Sequence, residues 1–156
     1  MARLSDMPDG LRKHLLHLAT QEMPTVDRPA FVPGPPLDER RVALISTAGL
    51  HRRDDRPFAM GAADYRVIPG DAGAEDLMIS HVSTNFDRTG FQLDWNVMLP
   101  LQRLREMAAD GEIGSVADYH YSFMGASDPR KMEPTARRLA GLLSADSVDA
   151  VVLVPV

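Results

Sequence analysis

Arg41-Val42-Ala43-Leu44-Ile45-Ser46-Thr47-Ala48-Gly49 is the stretch that decides the fold of this 156-residue chain. Its apolar centre, Val42 to Ile45, is short, continuous and closed by small residues, the pattern of a strand covered on both faces. Ser46 to Gly49 is the turn that ends the strand. Moving towards the C-terminus, Tyr65–Ile68 and Leu77–Ser80 read as further short strands, with Pro69-Gly70-Asp71 as turn residues. Pro100 opens a helix that turns Leu101, Leu104 and Met107 or Ala108 inward and stops at Gly111. From Val116 to Phe123, Ala117, Tyr119, Tyr121 and Phe123 alternate with Asp118, His120 and Ser122. A period of two predicts a strand with one polar face. A last helix is expected from Pro134 to Leu143. Ala150-Val151-Val152-Leu153-Val154 is the most strand-like segment, and with nothing polar to interrupt it the strand is predicted to lie inside the sheet.

Strands alternating with helices predict an α/β layered domain with a mainly parallel sheet, Rossmann-like or flavodoxin-like. Upstream, Leu11, Leu15 and Leu18 repeat at helical spacing and predict an amphipathic helix over Asp9–Gln21. Pro24, Pro29, Pro33, Pro35 and Pro36 then exclude a regular helix or a central strand. Residues 1–40 are therefore read as a helix plus a proline-rich arm, and residues 41–156 as the domain proper.

Composition narrows the function classes. A formal charge of -5 and a pI near 5.5 do not suit a nucleic-acid or anionic-membrane surface. No apolar run approaches a membrane span, and Met1 to Asp6 lack the apolar core of a signal peptide. The chain contains no cysteine, so disulfides and thiolate metal sites are excluded, and a cytoplasmic location is expected. Neither a GxGxxG nor a GxxxxGK[ST] pattern occurs, nor any HxH or HExxH spacing. No cofactor and no metal are expected.

In parallel sheets, ligands sit beyond the carboxyl ends of the strands. Three polar clusters fall near such ends. Ser46 and Thr47 are candidate substrate-binding residues by position, although a strand-ending turn accounts for them more simply. Ser80 to Gly90 gathers hydroxyls, His81, Asp87 and Arg88. There His81 is a candidate general acid or base, because its ordinary pKa lies near neutrality, and Arg88 has the planar fork that clamps a carboxylate. A surface loop with local Asp87 and Arg88 hydrogen bonds is the plainer alternative. His120 lies in His120-Tyr121-Ser122-Phe123-Met124-Gly125, where a half-buried strand with a hydrogen-bonded histidine competes with a catalytic role. The site predicted is one concavity lined by His81, Asp87, Arg88 and His120.

Several stretches, in order, carry a likeness to a known family. They are Val42 to Gly49, Asp64 to Asp71, Ile79-Ser80-His81-Val82, Phe86-Asp87-Arg88-Thr89, Asn96-Val97, Pro100 to Arg105, Gly111 to Ser115, His120 to Gly125, and Asp149 to Val156. From about residue 41 onward the chain resembles the selenoprotein B subunits of the glycine, sarcosine, betaine and D-proline reductases, small bacterial members above all. The resemblance implies reductive cleavage of a carbon–nitrogen bond in a small amine or amino acid, with a selenolate or thiolate as nucleophile and partner subunits completing the cycle. It also implies a Sec or Cys just after the strand matching Ala150 to Val154, where this sequence stops at Pro155-Val156. The expectation is a chain ending before a misread UGA, inactive as it stands, and self-associating as a homo-oligomer. The alternative expectation is a nucleophile-free subunit that binds a small molecule or a partner.

Overall fold

In the computed structural model the described residues are 3–22, 25, 32–83, 86 and 88–156. The chain divides into two units, Met1–Phe31 and Val32–Val156. The first contains α1 (Asp9–Ala19), close to the expected helix, with no buried residue. Of the connector, Pro24 and Pro29 lie outside the described residues. Pro33, Pro35 and Pro36 belong to the second unit, where Arg40 Nε donates to the Pro35 carbonyl at 2.6 Å.

The second unit is built on β1 (Arg41–Ser46), where the apolar run predicted it. Next come β2 (Leu50–Arg52), β3 (Tyr65–Pro69), β4 (Leu77–Ile79), α2 (Thr89–Leu93) and α3 (Leu101–Ala109). They are followed by β5 (Ser115–Val116), β6 (Tyr119–Phe123), α4 (Pro129–Ala145) and β7 (Ala150–Val154). β1 pairs in parallel with β5 and β6 along one edge and with β7 along the other. β3 adds to β6 in antiparallel sense. The result is a mixed, mainly parallel sheet. β2 and β4 form a separate antiparallel ribbon, so the expected Leu77–Ser80 strand exists but lies outside the main sheet.

Helices flank both faces. Val42 and Leu44 of β1 and Ile68 of β3 pack with Leu101 and Leu104 of α3, and Leu50, Leu77 and Leu99 complete that cluster. Tyr121 and Phe123 of β6 pack with Leu139 of α4, joined by Ile45, Tyr65, Met132 and Leu143. Each Leu or Ile sealed in this way contributes about 1.5–3 kcal/mol.

Four sequence expectations are corrected. The single strand Val116–Phe123 is broken: Arg41 faces Ser115, whereas Ile45 faces Tyr121, so two extra residues accumulate between them. Asp118 is turned out of the ladder there, and its carboxylate meets Arg41 at 2.9 Å. The same guanidinium holds Asp146 at the end of α4 and the Val116 carbonyl, tying three segments together. Burial pushes the Asp146 carboxyl up, but Arg41 outweighs it and holds the group below its ordinary range. The strand expected to be half-buried at His120 is sealed there: its polar face is interior, with His120 and Ser122 completely buried and His120 hydrogen-bonded. The last helix starts at Pro129, not Pro134, because Asp128 caps it by accepting from the Arg130 amide. Finally, β7 pairs only with β1 among the described residues and is an edge strand, not an interior one. Its Val152 is 43% exposed and Leu153 69%.

Candidate functional site

The end of β1 is where several segments meet. The Ser46 hydroxyl is buried and accepts from the Ala48 amide at 3.2 Å. Thr47 continues the ladder by donating its amide to the Val154 carbonyl at 3.1 Å. Its hydroxyl then accepts from the Val156 amide at 2.8 Å and donates to the Val156 carbonyl at 3.3 Å. The Thr47 carbonyl accepts from Gly125, just beyond β6, at 2.9 Å. Gly49 follows with a left-handed φ of 66°, and a Cβ there would lie 3.1 Å from the His81 nitrogen and from Met124 Cε. The Gly49 carbonyl accepts from the Ser80 amide at 3.0 Å. Thus the carboxyl ends of β1, β6 and β7 and the loop after β4 converge within hydrogen-bond and van der Waals distance.

His81 is the titratable group of this rim. Its Nδ1 accepts from the Ser83 amide at 3.2 Å. A main-chain amide can only donate, so the ring proton resides on Nε2. That Nε2 is buried with no partner among the described residues. The ring stacks on Phe86 with centroids 4.3 Å apart. Burial first, and the nearby Arg88 charge second, lower its pKa. At neutral pH His81 is therefore a neutral imidazole whose Nε2–H is buried and unpartnered among the described residues. Arg88 lies beside it, donating from Nη2 to the His81 carbonyl at 2.6 Å, with its guanidinium 5.7 Å from the Phe86 ring centre. Asp87 lies outside the described residues.

His120 has a different setting. Where the extra residues displace the β6 main chain, the Leu44 amide loses its ladder acceptor, and His120 Nδ1 takes its place at 3.0 Å. Nε2 again carries the proton, and it is buried without a partner. Burial, followed by the Arg105 charge, lowers the pKa to about 4. His120 is thus held inside the sheet, level with Leu44, and His81 at the loop beyond β1. No hydrogen bond joins the two among the described residues. Within those residues, no three His, Cys, Asp or Glu side chains gather as a metal site, and no helix is long and apolar enough to cross a membrane.

Sequence reasoning missed Gly49, Phe86 and Ser122. Ser122 Oγ accepts from the Leu50 amide at 2.8 Å and anchors β2 to the main sheet. For Gly49 the signal was present, a glycine directly after a strand end. For Ser122 no local signal exists, because its partner Leu50 is 72 residues away. Phe86 lies only five residues from His81, but nothing in that spacing marks the ring as one that stacks.

Residues 18–156 match the family described as glycine/sarcosine/betaine reductase selenoprotein B. The match begins earlier than the likeness from about residue 41 and takes in the proline-rich connector. The D-proline reductase subunit gamma of Acetoanaerobium sticklandii is 37% identical over 120 residues, covering 75% of this chain and 49% of that protein. The glycine reductase complex component B subunit gamma of Carboxydothermus hydrogenoformans is 30% identical over 146 residues, covering 86% of this chain and 33% of that protein. The betaine reductase complex component B subunit beta of Peptoclostridium acidaminophilum is 26% identical over 122 residues, covering 75% and 28%. The chain thus spans about half the length of these curated relatives, or less. No solved structure matches it.

Proposed function

Because the chain belongs to the glycine/sarcosine/betaine reductase selenoprotein B family, we propose that it serves a reductase complex by holding a small amine or amino acid at the carboxyl ends of β1, β6 and β7. The observation that carries this reading is the convergence of Thr47, Gly49, His81, Gly125 and Val156 on one rim. Arg88 is the carboxylate clamp. Its bond to the His81 carbonyl uses one guanidinium N–H, and among the described residues no other acceptor takes the remaining ones, which could grip a carboxylate. We assign Asp87, next to it in sequence, to the same substrate-binding set. His81 Nε2–H offers a second donor, and the hydroxyls of Ser46 and Thr47, engaged by main chain, position the rim rather than touch substrate. His120 stiffens the strand that ends there.

Reductive carbon–nitrogen cleavage needs a soft anionic nucleophile. Its electron pair forms the new bond to carbon, while the amine leaves with the old pair and takes up a proton. None of the 156 residues is a cysteine, so in this reading the selenolate or thiolate comes from outside them. Helices on both faces of the sheet support a doubly wound, Rossmann-like or flavodoxin-like domain over residues 41–156, with residues 1–40 as an arm. The uncovered apolar side chains of β7 support association, with a partner subunit or a second copy. Cysteine-free composition accords with a cytoplasmic setting.

Purified chain should give no cleavage product from betaine, sarcosine, glycine or D-proline, even with dithiol reductant, and subunits carrying the selenol or thiol should restore product. Cleavage by the cysteine-free chain alone would overturn this division of labour.

A further inference from the structure

We propose that Arg66 is a positioning residue for the rim: it holds the connection between β2 and β3 against Ser80, and through Ser80 it sets the place of His81. The effect on a ligand rests on the reading of the rim given above, whereas the placement of His81 does not.

Arg66 lies in β3, opposite Ser122 of β6, and its side chain is only 5% exposed. A buried guanidinium has to be met by acceptors and by opposite charge. Its Nε donates to the Arg56 carbonyl at 2.9 Å and its Nη2 to the Pro57 carbonyl at 3.2 Å. Nη1 donates to the Asp64 carboxylate and to the Tyr65 carbonyl, both at 3.0 Å. The guanidinium carbon stands 4.3 Å from the centre of the Phe58 ring, itself buried. One side chain therefore grips both arms of a connection, residues 53–64, that contains no helix or strand.

The grip reaches the rim. The Phe58 amide donates to Ser80 Oγ at 2.8 Å, and the same hydroxyl lies 3.4 Å from the Gly49 carbonyl. That carbonyl also accepts from the Ser80 amide, and His81 is the next residue. Apart from bonds within residues 52–64, Arg66 and Ser80 supply the hydrogen bonds that fasten residues 54–63 among the described residues. No hydrogen bond or ring contact joins Arg66 to His81 among those residues. Any effect of Arg66 on His81 must then pass through Phe58 and Ser80. Lysine at this position would keep a charge for Asp64 but could not span the carbonyls of Arg56, Pro57 and Tyr65 at once.

Nuclear magnetic resonance of the ligand-free chain reads the placement. In Arg66→Lys the His81 ring signals should shift, as should the Ser83 amide that donates to His81 Nδ1. The Phe58 amide should exchange with solvent about tenfold faster. Phe58→Leu removes the ring under the guanidinium and should shift the same signals, which keeps the test open if Arg66→Lys folds poorly. In a Ser80→Ala background the link is already cut, so Arg66→Lys should move His81 no further. Leu139→Ala is the control: it opens the cluster between β6 and α4, and should lower stability without moving His81. His81 signals unmoved in both Arg66→Lys and Phe58→Leu would overturn the proposal. So would an equal shift in Leu139→Ala, or a full further shift in the Ser80→Ala background. For a ligand that saturates the rim, Arg66→Lys should weaken affinity about fivefold. Absence of binding by glycine, sarcosine, betaine and D-proline alike would defeat the rim reading, and the His81 signals would still decide the role of Arg66.

Discussion

Between pH 7.5 and 4.5 the protein should lose about 2–3 kcal/mol of folding stability through His120 alone. The unfolded chain protonates this imidazole near pH 6.5, whereas burial delays protonation in the folded state to about 4. Over that window the unfolded state binds more protons, so acid favours unfolding. The contribution is intact above pH 6.5, falls as the pH drops, and stops falling once the folded pKa is passed. His120→Asn isolates it, because its side-chain oxygen can replace Nδ1 as acceptor for the Leu44 amide but does not titrate. The variant should be about 1–2 kcal/mol less stable at pH 7.5, from lost ring volume. Its decline towards pH 4.5 should be shallower than that of the unaltered protein by about 2–3 kcal/mol. Urea unfolding at the two pH values measures both quantities. Equal declines would show that His120 is not enclosed.

Gly49→Ala should cost roughly 2–3 kcal/mol, the second large effect. Part is the left-handed backbone, which any side chain disfavours by about 1–2 kcal/mol. The rest is contact: the new Cβ would stand 3.1 Å from the His81 nitrogen, and a main-chain atom gives way less readily than a side chain. Gly61 is the control. It has a φ of 72° but nothing within 4 Å of an added Cβ. Gly61→Ala should therefore show the backbone part alone, about 1 kcal/mol. A difference of 1 kcal/mol or more between the two variants supports the tight packing of the rim, and equal costs would contradict it.

Elements whose pattern is local could be read from the chain. The apolar run of β1, the proline opening of α3 and the apolar run of β7 each carry their own signal, and each forms where that signal placed it. What could not be read depended on partners far along the chain. The break between β5 and β6 follows from Asp118 turning to Arg41, and the burial of His120 from an amide 76 residues away. Alternation predicted a strand with one polar face but could not place that face in the interior, because a buried imidazole and a wet one look alike in sequence. For β7, apolar composition was taken for interior position, yet its partners decide that, and among the described residues it has only β1. The loop holding His81 and Arg88 was legible as a polar cluster beyond a strand. The stacking on Phe86 and the approach to Gly49 that shape it were not.

The most direct test of the proposed site is nuclear magnetic resonance of the chain titrated with glycine, sarcosine, betaine and D-proline, beside Arg88→Ala. The account predicts saturable shifts for at least one ligand at Thr47, Gly49, His81 and Gly125, including the His81 Nε2 proton, and at least tenfold weaker binding in the variant. Shifts confined to other surfaces, or equal affinity without the Arg88 guanidinium, would contradict it.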